Sequence, residues 1–286
     1  MEKDILVRLE EAGRLSKGQR RIADYIRNNY DKAAFMTAGK LGQTVGVSES
    51  TVVRFASDLG YDGYPGMRKA IQEMIRSRLT SLQRIEVSKE LLDEGNLPGS
   101  VLAADMGKLE ATLRDFDREQ FDTAVDAIAN ANHIFIVGMR SSTCLASFLG
   151  FYLNLLLENV RIIQDTSQSE VYEQIMRIKP NDVFIGISYP RYSSRTVKAM
   201  SYARSCGATT VGITDGETSP LVGLADVLLY ARSGMMSFLD SLVAPLSLIN
   251  ALIVSIGLRN REHVSDTFKQ LETIWVDYDV YERMGG

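Results

Sequence analysis

The sequence predicts an all-helical N-terminal domain followed by a flavodoxin-like α/β sandwich with a five-stranded parallel sheet. From Lys17 to about Ile75, apolar residues recur at helical spacing. Beyond residue 133, short apolar runs alternate with longer helical patterns, as expected for strands covered on both faces. A chain of 286 residues also suits two domains. We place the helical domain at 1–77, a linker at 78–99 and the α/β domain at 100–286.

The predicted strands share a length of four or five residues and a nearly unbroken apolar character. They are Ile134–Val137, Val160–Ile163, Val183–Ile187, Thr210–Thr214 and Val227–Tyr230. If their order in the sheet is 2-1-3-4-5, strands 1 and 3 are neighbours at the topological switch point. Open α/β sheets bind ligands in the crevice at that point.

Composition argues against several classes of protein. Hydrophobic residues make up 45% of the chain and charged residues 24%, as in ordinary globular proteins. Two cysteines and two histidines lack the spacing of a metal site or a disulfide framework, so we expect neither a metal nor a cofactor. The most lipid-like stretch, Ser241–Leu258, contains Pro245 and Asn250 and is interpreted as a buried helix. With no signal-peptide pattern, we expect a cytoplasmic protein without a membrane partner.

Charge is distributed unevenly along the chain. Residues 1–80 hold 14 Lys and Arg against 10 Asp and Glu, whereas the whole chain has a net charge of −4. A basic first domain on an acidic body is what contact with a phosphate backbone requires.

Residues 38–57 fit a helix-turn-helix. Leu41 and Val45 supply the inner face of the first helix, and Gly46 suits the left-handed turn. Ser48 is placed to cap the second helix, which Val52 and Phe55 anchor from beneath. The alternative is an αα-hairpin that binds no partner.

The helix-turn-helix pattern leaves a polar face outside, where recognition helices meet DNA. We expect Arg54 to contact guanine or phosphate, Thr51 to contact phosphate or a thymine methyl group, and Lys40 to contact the DNA backbone. Lys17, Arg20 and Arg21 are further backbone candidates. The full set of predicted DNA-binding residues is Lys40, Ser48, Glu49, Ser50, Thr51, Arg54 and Ser57.

Between the two domains, Gly95–Gly99 is interpreted as a break before two helices, at about 100–116 and 118–130. The first carries an apolar stripe, composed of Val101, Leu102, Met106, Leu109 and Leu113. This stripe either packs on the chain's own α/β domain or forms a dimer face.

The loops after strands 1 and 3 carry hydroxyl and guanidinium groups at the start of a helix. Backbone N–H groups and the positive end of a helix dipole favour a phosphate there. Arg195 adds charge, and the predicted ligand-binding residues are Gly138, Arg140, Ser141, Ser142, Ser188, Arg191, Ser193, Ser194 and Thr196. The alternative is that these hydroxyls only cap helices.

From about Ile5 to Ile274 the chain resembles the RpiR-type bacterial regulators, in which a helix-turn-helix domain precedes a sugar isomerase (SIS) domain. The resemblance is carried by residues 47–55, 59–64, 213–215, 219–221 and 225–226. It implies control of sugar or amino-sugar metabolism by a phosphosugar effector. Ser142 and Ser188 keep the family's serine positions.

Two departures from the family pattern stand in these loops. Arg140 replaces the second glycine of Gly-x-Gly-x-Ser, and Pro190 and Arg191 replace a serine and a glycine of Ser-x-Ser-Gly-x-Thr. Assuming that both arginines are buried, we expect more negative charge than one phosphate carries, as in a phosphorylated sugar acid. If one arginine pairs with Asp165 or Glu170, an ordinary hexose phosphate suffices.

The leading hypothesis is a non-enzymatic regulator that binds double-stranded operator DNA as a dimer or tetramer. The runner-up, an aldose–ketose isomerase, requires a base at the crevice, for which Glu170 is the candidate. A purely structural oligomer explains neither the polar recognition face nor the two loops.

Overall fold

The computed structural model describes residues 5–76, 80–85, 94–164, 167–236, 238–259 and 261–281. The chain divides into two compact units. Unit 1 comprises Met1–Ala104 together with Gly234–Ser241, and unit 2 comprises Asp105–Ser233 together with Leu242–Gly286.

Between residues 5 and 104, the described part of unit 1 is mainly helical. Its helices are α1 (Ile5–Glu11), α2 (Lys17–Asn28), α3 (Tyr30–Ala33), α4 (Ala38–Val45), α5 (Glu49–Asp58), α6 (Gly63–Arg76) and α7 (81–85). The apolar faces of α1 to α6 meet in one core that includes Ile22, Leu41, Val52, Phe55 and Met67. The predicted helical domain is therefore confirmed as a packed bundle.

Local sequence signals set the ends of these helices. Ser16 and Thr37 cap α2 and α4, each accepting a hydrogen bond from the backbone three residues on, as predicted. α5 ends at Asp58, and Gly60 has a φ of 83°, which glycine adopts without the strain of a side chain.

Unit 2 contains the predicted five-stranded parallel sheet, whose order is β2-β1-β3-β4-β5. The strands are β1 (Ile134–Gly138), β2 (Val160–Ile162), β3 (Val183–Ile187), β4 (Thr209–Thr214) and β5 (Val227–Tyr230). α8 (Leu97–Arg114) begins in unit 1 and continues into unit 2. The helices that follow in unit 2 are α9 (Arg118–Ala129), α10 (Ser142–Leu156), α11 (Gln168–Ile175), α12 (Ser194–Ser205), α13 (Val243–Arg259) and α14 (Arg261–Asp277).

Helices cover both faces of this sheet. Ile134, Ile136 and Ile185 point into one core with α9, α10 and α13. Phe135 and Phe184 point into the opposite core with α11 and α12. Strands buried on both sides explain why the sequence shows continuous apolar runs rather than alternation.

α8 differs from the prediction at its start. It begins at Leu97, so Pro98 and Gly99 lie in its first turn rather than in a break. Proline fits there because the first N–H groups of a helix have no partner within the helix. The boundary between the units falls inside this helix, after Ala104.

The apolar stripe of α8 contributes no buried residue. Leu102, Met106 and Leu113 are exposed, whereas Val101 and Leu109 are half-buried.

α13 follows the interpretation of Ser241–Leu258 as a packed helix. Leu248, Ile249 and Leu252 are buried in the core of unit 2. Among the described residues, no single helix has both the length and the apolar character needed to cross a membrane.

Candidate functional site

α4, its turn and α5 form a helix-turn-helix. The backbone of the turn comes so close that a Cβ at Gly42 would lie 2.8 Å from the Val47 carbonyl oxygen. Gly46 ends α4 with a φ of 70°. Both glycines are therefore required by geometry, one for close approach and one for a left-handed backbone.

The outer face of α5 is open to solvent. Val52 and Phe55 lie in the core of unit 1, while Ser50, Val53, Arg54 and Ser57 are exposed. With Glu49, these four residues line a shallow depression. Among the described residues, none accepts a hydrogen bond from the Arg54 guanidinium or pairs with it.

Two of the predicted DNA-binding residues, Ser48 and Thr51, form hydrogen bonds that stabilise the start of α5. The Ser48 hydroxyl caps the helix by accepting from the Thr51 amide at 3.3 Å. The Thr51 hydroxyl lies 2.8 Å from the Ser48 oxygen, and its side chain is half-buried. The Glu49 carboxylate lies beside Gly39, at the start of α4.

The cationic residues predicted to meet the DNA backbone are all exposed. Lys40 lies in the first turn of α4, and Lys17, Arg20 and Arg21 lie on α2. Arg21 donates to the Gly46 carbonyl at 3.3 Å, so α2 is tied to the turn of the helix-turn-helix.

In unit 2, the loop from β1 to α10 turns sharply. A Cβ at Gly138 would overlap the Ser142 carbonyl oxygen, so a side chain is excluded there. Arg140 has a φ of 57° and is exposed. Ser141 precedes α10 without making a side-chain cap, and Ser142 is buried. The amides of Ser142 and Thr143 donate instead to the backbone carbonyls of Met139 and Arg140.

The loop from β3 to α12 is organised by two serines. The buried Ser188 hydroxyl accepts from the Ser193 amide at 3.2 Å, and Ser193 in turn caps α12. The alternative of a helix cap therefore holds for Ser193. Ser194 is exposed, whereas the Thr196 hydroxyl is buried and has no hydrogen-bond partner in the described part of the chain. Arg191 is exposed and has a φ of 67°.

The two loops start side by side, because Gly138 at the end of β1 pairs with Ile187 at the end of β3. We call the space at these strand ends the crevice. It lies at the switch point of the sheet, where open α/β folds bind ligands.

The crevice arginines differ from the expectation in one respect. The sequence interpretation assumes that Arg140 and Arg191 are buried, but both residues are exposed. The desolvation argument for a second anionic group is therefore wrong. Of the two possible carboxylate partners, Asp165 lies outside the described residues, and Glu170 forms a capping box with Ser167 at the start of α11.

Asp215 is a residue of this site that sequence reasoning missed. It follows β4 directly, is 6% exposed and accepts a hydrogen bond from the Tyr192 hydroxyl at 2.8 Å. Burial, reinforced by the Asp215 charge, raises the pKa of the Tyr189 hydroxyl well above its usual value. The signal was the aspartate placed directly after a buried strand, next to the switch point.

Comparisons with known proteins match both units. Residues 4–78 match the model of the helix-turn-helix domain of the rpiR family, and residues 127–255 match the SIS domain. The sugar isomerase domain of an RpiR transcription factor from Sphaerobacter thermophilus is 30% identical, with a TM-score of 0.60, over 62% of this chain and 99% of that chain. The Vibrio vulnificus NanR protein, solved in complex with ManNAc-6P, is 22% identical, with a TM-score of 0.57, over 96% and 98%.

Proposed function

Because the chain belongs to the RpiR family of helix-turn-helix transcription factors, we propose that it binds operator DNA sequence-specifically and is controlled by a phosphosugar. The observation that carries this proposal is the union, in one chain, of an open recognition helix and a crevice rich in anion-binding groups. Neither feature alone separates a regulator from a DNA-binding module or from an enzyme.

DNA binding is assigned to α5. Its outer face presents Arg54, whose guanidinium has no partner among the described residues, beside Ser50 and Ser57. An arginine with open donors is suited to the O6 and N7 acceptors of guanine in the major groove. The exposed cations of α2 and α4 are suited to phosphates, which position the protein without reading sequence.

The effector is assigned to the crevice. Arg140 and Arg191 supply positive charge on neighbouring loops, and α10 begins without a side-chain cap. The positive end of the dipole at such a helix start favours a phosphate. Thr196, whose buried hydroxyl has no hydrogen-bond partner among the described residues, lies in the first turn of the neighbouring helix α12. A phosphorylated sugar fits this chemistry.

We propose further that the protein is cytoplasmic and acts as a dimer or tetramer. Two-fold symmetry doubles the surface that one small motif places on DNA. Effector binding and operator binding then occur on the same dimer or tetramer, so each affects the affinity for the other.

The competing function is an aldose–ketose isomerase, which needs a general base close to the substrate carbons. The Glu170 carboxylate accepts from the Ser167 amide in its capping box. Asp215 is the buried carboxylate at the strand ends, and the Tyr192 hydroxyl already donates to it. Both carboxylates thus accept hydrogen bonds that stabilise their own loops. This favours a ligand-binding regulator over an isomerase.

A thermal-shift screen over phosphosugars, run beside a turnover assay, tests this proposal. A ligand at 100 times its Kd stabilises a protein by about 2.7 kcal/mol, a shift that the screen resolves. We expect stabilisation without conversion. Conversion of an aldose phosphate into its ketose would establish the enzyme instead.

A further inference from the structure

Between β5 and α13, the described residues 234–236 and 238–241 belong to unit 1. We call them the bridging segment. It folds back on itself, since the Ser241 amide donates to the Gly234 carbonyl at 3.0 Å. Met235 packs against the core of the helical unit. The chain therefore leaves the α/β unit directly after Ser233, contributes this short segment to the DNA-binding unit, and returns at Leu242.

A buried ion pair fixes the bridging segment within unit 1. The Arg84 guanidinium of α7 donates to Asp240 Oδ2 at 2.8 Å, and Arg84 is 1% exposed. Taking two charges out of water is costly, so such a pair adds little stability. It does define one arrangement, because separating the partners leaves a charge uncompensated. The Arg84–Asp240 pair therefore specifies one position of Asp240 relative to α7.

The chain just before the bridging segment is tied to the crevice. Arg232 lies two residues before Gly234, and its guanidinium donates to the Asp215 backbone carbonyl at 3.2 Å. The Asp215 carboxylate accepts from Tyr192, the neighbour of Arg191 in the loop between β3 and α12. Asp115 holds Arg232 from the other side, with 2.6 Å between Asp115 Oδ2 and Arg232 Nη2.

We propose that Tyr192, Asp215 and Arg232 pass effector binding to the bridging segment, and that the Arg84–Asp240 pair delivers it to the DNA-binding unit. This inference rests on the proposed function, since it names the regulation of the same crevice. An anion at Arg191 changes the position of Tyr192, and with it the bond that anchors Asp215. Arg232 follows Asp215, and the covalent chain carries that change into residues 234–241.

Hydrogen exchange on the full-length protein without ligand tests this relay. Tyr192→Phe removes only the hydroxyl that reaches Asp215. We expect amides of residues 234–241 and of α7 to exchange about fivefold faster, the factor expected for loss of one ordinary hydrogen bond. Tyr172→Phe is the matched control, because Tyr172 lies on the same unit and keeps its ring contact with Tyr202.

A double variant tests the role of the Arg84–Asp240 ion pair. Asp240→Asn should also speed exchange in α7. If the relay runs through Asp240, adding Tyr192→Phe to Asp240→Asn produces no further change in α7, whereas independent sites give additive effects. Additive effects, or a Tyr192→Phe protein that exchanges like Tyr172→Phe, would overturn the relay. Failure of the proposed function is seen separately, as a wild-type protein that binds no DNA.

Discussion

Arg140 and Arg191 occupy the left-handed backbone region that glycine enters freely. Each costs about 1–2 kcal/mol there relative to a right-handed residue. Both residues therefore combine backbone strain with a positive charge. A strained residue at a candidate site supports a functional role for its side chain.

Two substitutions at Arg140 separate strain from charge. Arg140→Gly removes both, whereas Arg140→Ala removes the charge and keeps the strain. We expect Arg140→Gly to exceed Arg140→Ala by up to about 1 kcal/mol in free energy of unfolding, because glycine's entropy cost offsets part of the relief. Both variants should lose phosphosugar affinity equally in calorimetry. Equal stabilities would show that the backbone at residue 140 is not strained.

At the recognition helix, Arg54→Ala should weaken operator binding by about 1–3 kcal/mol while leaving binding to random DNA nearly unchanged. Lys40→Ala should weaken both DNAs alike and reduce the salt dependence by about one unit. Fluorescence anisotropy over a range of salt concentrations measures both effects. If Arg54→Ala loses equal affinity for the two DNAs, Arg54 contacts phosphate rather than a base.

Residue-level prediction succeeded where the signal is local. Ser16, Thr37 and Ser48 cap helices because a cap depends on a few neighbouring positions. It failed for Asp215, whose burial depends on strands that only the tertiary fold brings together. The exposure of Arg140 was missed for the same reason.

At the scale of elements, a buried carboxylate joins the starts of β1 and β3. Asp182 is 0% exposed and accepts from His133 Nδ1 at 2.9 Å and from the Lys179 amide at 3.0 Å. Asp182→Ala leaves both donors without this acceptor, so we expect a loss of about 1–3 kcal/mol in free energy of unfolding.

Chemical denaturation measures this loss, with Asp266→Ala as the control. Asp266 pairs with Lys269 on the exposed surface of α14, so its removal should change stability by less than about 0.5 kcal/mol. Equal effects of the two substitutions would contradict a supporting role for Asp182.

Strands were predicted almost to the residue, because runs such as Val183–Ile187 are apolar throughout and bounded by polar residues. The start of α8, in contrast, was not predicted correctly. A Gly-Asn-Leu-Pro-Gly stretch favours a break, and yet proline and glycine are tolerated in a first turn whose N–H groups need no helical partner.

At the scale of the whole molecule, we expect a palindromic operator bound by a symmetric dimer or a dimer of dimers. Its half-sites should lie about 34–36 Å apart or a multiple of that, because both recognition helices must meet the same side of the DNA. Footprinting on DNA selected from a random pool tests this spacing. Full affinity for a single asymmetric half-site would count against it.

The division of the chain into two units could be predicted only in part from the sequence. A helical domain and an α/β domain follow from periodicity alone. The assignment of Gly234–Ser241 to unit 1 does not, because contacts such as Arg84–Asp240 join residues 156 positions apart.

The proposed function includes control of DNA binding by a phosphosugar. Its most direct test is fluorescence anisotropy of the selected operator with and without saturating N-acetylmannosamine 6-phosphate, glucose 6-phosphate or 6-phosphogluconate. We predict that at least one compound changes operator affinity by about 5- to 150-fold, the usual range of allosteric coupling, while leaving random-DNA binding largely unchanged. An operator affinity that no phosphosugar alters, in a protein that calorimetry shows to bind one, would contradict the account.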